Sequence, residues 1–303
     1  MNNPPLISIC IPTFNREKYL KECINNIVNQ KWFNQNDIEI IISDNASPDN
    51  TFKTVKEYQE KYSNIKYYRN DKNIWANLNL FKVSEYANWK YIWFMGDDDK
   101  IINWWLKKAI YSINSCNNVV LFQTNSIWKT NNIILIENWI DYFKNVIHKN
   151  SINNLGTFLL FLSMVIVKKD DFIKNLNDYK KIFPGKLSEA YSHFYVLIRC
   201  INNKQIALLW NMVEWWEWEE KDKKYFKHNS KIWYDLVIIN WIDKIYEDLK
   251  FLNSIWITKN DLNLYRHGFI KIYYLNIIAN FSKSIWLYKI IRFIFLKFIK
   301  KFM

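Results

Sequence analysis

Residues 38–59 read IEIIISDNASPDNTFKTVKEYQ. Residues 38–43 form an apolar, β-branched run of strand length with no polar alternation, the pattern of a strand covered on both faces. DNASPDN is a cluster of turn formers. From residue 51 the apolar positions spread to helical spacing, with Ser47 and Pro48 reading as the N-cap and first-turn pair. A strand, a polar turn and a helix in direct succession make half of a parallel-sheet unit.

The same alternation recurs on either side. LISICI (residues 6–11) is a strand, and Asn15 is placed to cap a helix through LKECINNIVNQ. IKYYR (65–69) is a strand, ANLNLFKVSEYA (76–87) a helix, YIWFM (91–95) a strand ending at GDDD, and NVVLFQ (118–123) a further strand. Strands alternating with helices predict an α/β fold, a Rossmann-like, mostly parallel sheet flanked by helices. Ligands of such sheets bind beyond the carboxyl ends of the strands, and PTFNR, DNASPDN and GDDD all stand there.

Beyond residue 125 the periodicity loosens. TFLLFLSMVIVKK reads as a strand or buried segment, LSEAYSHFYVLIRCI as a helix, and the chain from residue 233 as helical. The expected organisation is a ligand-binding half over residues 1–125, a second half of the same domain over 126–230, and a helical extension over 231–303.

The 303 residues carry a net charge of +13, so an acidic partner is expected: nucleic acid, anionic lipid or a phosphorylated substrate. Part of the charge lies in WLYKIIRFIFLKFIKKFM (286–303). There Lys289, Arg292, Lys297, Lys300 and Lys301 share about half a helical circumference, mostly opposite Ile291, Ile294, Phe295, Phe298 and Phe302. This suits an anionic membrane surface, and a final helix packed on the domain has the same pattern. No apolar run is long enough to span a bilayer. The opening residues read as a first strand and not as a signal peptide, giving the expectation of a cytoplasmic protein, peripheral on the inner face of the cell membrane if the basic helix binds there. Four scattered cysteines have no metal-ligand spacing.

Composition holds one anomaly. There are 4 glycines and 16 tryptophans, whereas glycine alone is usually about 7% of a soluble chain. Trp75 lies just before a helix and Trp89 just after one, where a left-handed residue is commonly needed and glycine adopts it freely. The expectation is that some UGA codons read here as tryptophan are glycine codons in the source organism. UGG at positions 75 and 89 would refute it.

Three polar clusters carry candidate chemistry. Asp97, Asp98 and Asp99 after an apolar strand repel one another unless solvated or neutralised by a cation, and hard oxygen ligands suit Mg²⁺ or Mn²⁺. Asp44 and Asn45 follow a buried strand, where they can pair with a nucleobase edge or simply shape the turn. Asn15 and Arg16 after the first strand, and Arg69, Lys72 and Asn73 after the third, are suited to a base or to phosphates, or are surface groups.

Together, ISICIPTFNREKYLKECINNIVNQ, EIIISDNASPDNT, YYRNDKNIWANLN and KYIWFMGDDD resemble the family 2 glycosyltransferases of GT-A fold, and within them the abequosyltransferase-like branch of surface-polysaccharide synthesis. The resemblance implies an inverting transferase that moves a sugar from a nucleotide-diphosphate sugar to a glycan or lipid-linked saccharide acceptor, assisted by Mg²⁺ or Mn²⁺. It assigns Pro12, Thr13 and Asn15 to the nucleotide loop, Asp44 with Asn45 to the base, and Arg69 and Asn73 to the diphosphate. Trp75 and Trp89 stand at family glycines. The family's metal motif is Asp-x-Asp, here in uncertain register with Gly96 at its first position, and Asp98, then Asp97, are the first candidates. The family base lies in the second half, where Glu189 and then His193 fall. A sugar nucleotidyltransferase would carry a Gly-rich loop after the first strand, and PTFNR is not one. A basic RNA- or membrane-binding module is the remaining alternative, though no RNA-binding motif is visible and no nucleic-acid partner is expected.

Overall fold

The structure, a computed structural model, describes residues 7–115, 121–124, 134–136, 163, 165–185, 192–200, 206–210 and 213–215. The described residues fall in one compact unit. Their strands are β1 (Ile7–Thr13), β2 (Ile38–Asp44), β3 (Ile65–Arg69), β4 (Tyr91–Phe94), β5 (Asp99–Ile101), β6 (Leu121–Thr124), β7 (Ile134–Ile136), β8 (Val165–Lys168), β9 (Ile206–Trp210) and β10 (Val213–Trp215). Their helices are α1 (Glu17–Val28), α2 (Thr51–Gln59), α3 (Ala76–Glu85), α4 (Trp105–Ser115), α5 (Lys169–Ile182) and α6 (Ser192–Cys200).

The main sheet has the order β3-β2-β1-β4-β8-β6-β9-β7. Its first four strands are parallel, with Ile7 opposite both Ile38 and Tyr91. β8 enters antiparallel between β4 and β6, β6 and β9 are parallel, and β7 closes the edge antiparallel to β9. The parallel reading therefore holds for the first half, and the second half is mixed. A small antiparallel pair, β5 with β10, sets Asp99 opposite Trp215.

β2 is buried at every position and β1 at all but Pro12, because helices cover both faces. Successive strand side chains point to opposite faces. Ile7, Ile9, Ile11, Ile38, Ile40 and Ile42 join one cluster with Leu20, Ile24 and Ile27 of α1, Val55 of α2 and Leu106 of α4. The alternate residue Cys10 meets the other side, its thiol 3.8 Å from the carbonyl of Val83 in α3. There α3 packs on α5, and Phe172 of α5 lies 4.9 Å from the Phe94 ring centre.

Two helix starts differ from the sequence reading. α1 is capped by Arg16, not Asn15, and α2 begins at Thr51 after Asn50, not at Pro48. The cause is Asp49. Its carboxylate accepts the Glu17 amide at 2.9 Å and the Thr51 amide at 3.1 Å, so one side chain serves both N-termini, where negative charge is favoured. The hydroxyl of Ser47 instead accepts the Asn15 amide at 2.8 Å.

Among the described non-glycine residues, Asn15, Ala46, Trp75 and Trp104 have positive φ. The glycine expectation thus finds a left-handed backbone at Trp75 and at Trp104. It finds none at Trp89, and α3 itself ends in a right-handed Tyr86 cap. The residues of the expected extension, 231–303, lie outside the described ones.

Candidate active site

In the order β3-β2-β1-β4, the chain leaves β1 toward β2 on one side and meets β4 on the other. That reversal opens a crevice at the carboxyl ends of β1 and β4, the usual ligand position of an open α/β sheet. Thr13 at the end of β1 spans it, its hydroxyl donating to Asp97 Oδ2 at 2.7 Å. Arg16 spans it again. Its Nη1 lies 2.9 Å from Asp97 Oδ1 and its Nη2 2.6 Å from Asp98 Oδ2.

The acidic turn is held from below. Gly96 donates its amide to the Ser163 hydroxyl at 2.7 Å, and that hydroxyl in turn donates to Asp99 Oδ2. A Cβ on Gly96 would come within 2.6 Å of Asp99 Oδ2, so the turn folds its own carboxylates back over this residue, and a side chain there would push the Asp99 carboxylate aside. Trp93 Nε1 donates to the Ser163 carbonyl at 2.8 Å and fixes the segment before β8 to β4. Asp99 therefore faces Ser163, and Asp97 and Asp98 share one cationic group.

Burial pushes the Asp97 carboxyl up to about 7, Arg16 opposing the rise and Asp98 adding to it. Asp99 is likewise raised by burial, to about 6. A carboxyl with a raised native value binds its proton more tightly when folded than when unfolded. Its stabilisation is then fully present below about pH 4 and lost as the pH rises through about 7. Metal-free protein should show this as a difference from Asp97→Asn. The wild-type melting temperature, relative to the variant's, should fall between pH 4 and pH 7. A difference independent of pH would mean that Asp97 is ionised throughout.

The sequence reading expects Mg²⁺ or Mn²⁺. Among the described residues no three His, Cys, Asp or Glu side chains converge on one point. Asp97 and Asp98 do converge as a pair, on the Arg16 guanidinium. Mg²⁺-type sites usually take one or two carboxylates and complete their shell with substrate phosphates and water. This pair fits that donor set.

A second cluster lies at the ends of β2 and β3. Asp44 has no solvent exposure. Its Oδ1 accepts the Ser47 amide at 2.8 Å, and its Oδ2 accepts the Tyr67 hydroxyl at 2.5 Å and Arg69 Nη1 at 2.7 Å. Arg69 Nη2 also reaches the Ser47 carbonyl at 2.8 Å. Burial, then the bond to Asp44, pushes the Tyr67 phenol above its ordinary range. Asn45 ties the loops together. Its Oδ1 accepts from Asn70 and from the Ile74 amide, and its Nδ2 donates to Asn73 Oδ1 at 2.9 Å. Asn73 Oδ1 also accepts the Trp75 amide at 2.9 Å.

The structure thus unites Thr13, Asp97 and Asp98 at one crevice and Asp44, Asn45, Arg69 and Asn73 in a neighbouring loop cluster. Pro12 is half-buried in β1 and Asn15 exposed beyond it. His193 is in the first turn of α6 at 5% exposure, and Glu189 lies outside the described residues. The sequence reading assigns no role to Ser163 or Tyr67, and gives Arg16 only the part of a phosphate or base contact. Nothing local marks Ser163, which stands 67 residues from its partner Gly96.

A mostly parallel sheet flanked by helices, with such a crevice at its strand ends, is the architecture of a GT-A fold. The sequence profile of Glycosyl transferase family 2 matches residues 8–172, and the chain belongs to that family. It is 31% identical over 212 residues to abequosyltransferase RfbV of Salmonella typhimurium, covering 65% of this chain and 61% of that protein. To the GalNAc(5)-diNAcBac-PP-undecaprenol beta-1,3-glucosyltransferase of Campylobacter jejuni it is 32% identical, over 36% of this chain and 35% of the relative. The matched part is thus less than two thirds of either relative's length.

Solved structures agree on the fold. S. aureus TarS 1-349 superposes with a TM-score of 0.52 at 20% identity, over 67% of this chain and 58% of that one. The mannosyltransferase PcManGT of Pyrobaculum calidifontis gives 0.53 at 11% identity, over 88% and 69%.

Proposed function

We propose that the protein is an inverting glycosyltransferase that moves a sugar from a nucleotide-diphosphate sugar to a glycan or lipid-linked saccharide acceptor. The observation that carries this is the pair Asp97 and Asp98 meeting one cation at the β1–β4 crevice, beside Thr13. Support comes also from the family membership, and from solved relatives of the same fold crystallised with UDP-GlcNAc, or with GDP-Man and Mn²⁺.

Asp97 and Asp98 are the residues that would hold Mg²⁺ or Mn²⁺, which when bound supplies positive charge to the leaving diphosphate. Thr13 keeps Asp97 oriented. The network of Asp44, Tyr67 and Arg69 shapes the wall for the nucleoside, with Asn45 and Asn73 fixing the loop between them. In an inverting reaction the acceptor hydroxyl attacks opposite the leaving group, and a carboxylate takes its proton. We assign that role to Glu189, since the His193 ring is buried in α6. Calorimetry with a panel of nucleoside diphosphates, with and without Mn²⁺, tests the reading. Metal-dependent binding is expected, and no binding of any diphosphate refutes it.

The basic residues of 286–303 support attachment to an anionic membrane surface, each being worth about 1 kcal/mol near such a leaflet. Among the described residues no helix is long and apolar enough to cross a membrane. Deleting residues 286–303 should release the protein from phosphatidylserine vesicles while activity on a soluble acceptor persists. Equal vesicle binding by the full and shortened chains rules out this role.

A further inference from the structure

We infer that Arg16 is a built-in counter-ion of the acidic turn, occupying the place of the divalent cation until metal and sugar donor arrive. This deepens the proposed function and rests on its metal reading. Three observations carry it. The guanidinium uses two nitrogens on two different carboxylates, at 2.9 Å to Asp97 and 2.6 Å to Asp98, so it lies between them as a bridging cation would. It is the residue next to a bend. Asn15 has φ 55° and Arg16 has φ −140° as the cap of α1, so the side chain projects from the loop at the end of β1. Its side chain is 29% exposed, against 6% for Asp97 and 19% for Asp98. The cation of the set is therefore the member with the most solvent contact, its guanidinium resting over the Tyr19 ring at 4.8 Å, while Thr13 retains Asp97.

Electrostatics requires some such device. Two carboxylates in a half-buried turn repel, and an opposite charge within about 4–6 Å offsets the repulsion. Without metal, Arg16 supplies that charge and keeps the turn assembled. A divalent ion bound between the same carboxylates brings the guanidinium face to face with a like charge. Arg16 must then leave. From the mouth of the crevice it can pair with phosphate oxygens, for which its planar fork is suited. Metal and sugar donor thus displace Arg16 together, and metal alone competes with it.

The test is Mn²⁺ affinity without nucleotide, measured by electron paramagnetic resonance on wild type, Arg16→Gln and Asp98→Asn. Arg16→Gln should bind Mn²⁺ at least about ten-fold more tightly than wild type, since the competing charge is gone. It should also melt lower than wild type in a chelator and recover on adding Mn²⁺, which a purely structural arginine would not allow. Equal or weaker Mn²⁺ binding by Arg16→Gln, with wild-type binding abolished by Asp98→Asn, overturns the counter-ion role and leaves the metal reading standing. No Mn²⁺ binding by wild type or Arg16→Gln, even with a nucleoside diphosphate, overturns the metal reading itself.

A second inference rests on backbone geometry, exposure and composition. We infer that the natural protein carries glycine at positions 75 and 104. Trp75 holds φ 74° with ψ 151°, a region essentially reserved for glycine, and Trp104 holds φ 75°. Both side chains are exposed, at 73% and 51%, so little burial offsets the strain. Among the described residues Lys31 lies over the Trp104 ring at 4.7 Å, and exposed contacts of that kind are weak. The scarcity of glycine, 4 in 303 residues, points the same way.

Peptide mass spectrometry on the protein purified from its source should give the mass of glycine at both positions. Tryptophan at either position overturns the inference for that position. Trp75→Gly and Trp104→Gly in recombinant protein should each raise the melting temperature by about 2–4 °C. Unchanged or lower values would show that the left-handed backbones cost the tryptophan chain nothing.

Discussion

Asp98→Ala is expected to reduce turnover of the sugar donor by at least about a hundred-fold, the usual scale for removing one electrostatic stabiliser of a transition state. The side chain is 19% exposed and its strongest partner is Arg16 at 2.6 Å, so the fold should survive. Asp97→Ala should lose as much, because it removes the other half of the pair and the acceptor of the Thr13 hydroxyl. Asp99→Ala should differ in kind. That carboxylate faces Ser163 and the turn beneath it, so its loss loosens the turn and acts on the Mn²⁺ concentration needed more than on the maximal rate. Hydrolysis of the sugar donor across a Mn²⁺ titration reads all three. Near-normal turnover in both Asp97→Ala and Asp98→Ala is incompatible with the proposed metal site.

Asp44→Ala should combine a stability loss with a donor-binding defect. The carboxylate is fully buried and accepts from Ser47, Tyr67 and Arg69. Removing it strands a buried amide and a half-buried phenol, each costing about 1–3 kcal/mol, and leaves Arg69 without its ion pair. Arg69 is 41% exposed and can turn to water, so the two stranded groups set the total, about 2–6 kcal/mol. The wall for the nucleoside then loses its shape, so KM should rise much more than kcat falls. Asp44→Asn keeps an acceptor for the Ser47 amide and should be milder in stability. An Asp44→Ala protein as stable as wild type but with raised KM would show that the carboxylate meets the nucleotide directly. Equal losses in kcat and kcat/KM would place it in the chemistry.

The alternation of IEIIIS, DNASPDN and TFKTVKEYQ determined by itself that a strand, a turn and a helix follow one another, because apolar period is a local property. The sequence also marked the loops at the carboxyl ends of the strands, since runs such as GDDD and PTFNR interrupt apolar strands abruptly. Helices α4 and α5 were not legible in the same way. In α5 the buried positions Phe172, Leu176 and Tyr179 are helically spaced, but the intervening Lys, Asp and Asn residues dilute the signal. The insertion of β8 antiparallel between β4 and β6 depends on pairing between distant segments, which no local period encodes.

The same division runs through the site. The sequence determined that Asp44, Arg69 and the Asp97–Asp99 run are carboxylates and cations near strand ends. Only the tertiary structure decided their partners. Strand order sets Arg16 across from Asp97, 81 residues away, and Ser163 beneath Gly96 and Asp99. It closes Tyr67 and Arg69 over Asp44 and lets Asp49 serve two helices at once. The physical reason is that a charge or hydrogen bond acts over a few ångströms of space, whatever the separation along the chain. Residue type and local period fix which groups sit at a strand end; the order in which the strands pair fixes which of them meet.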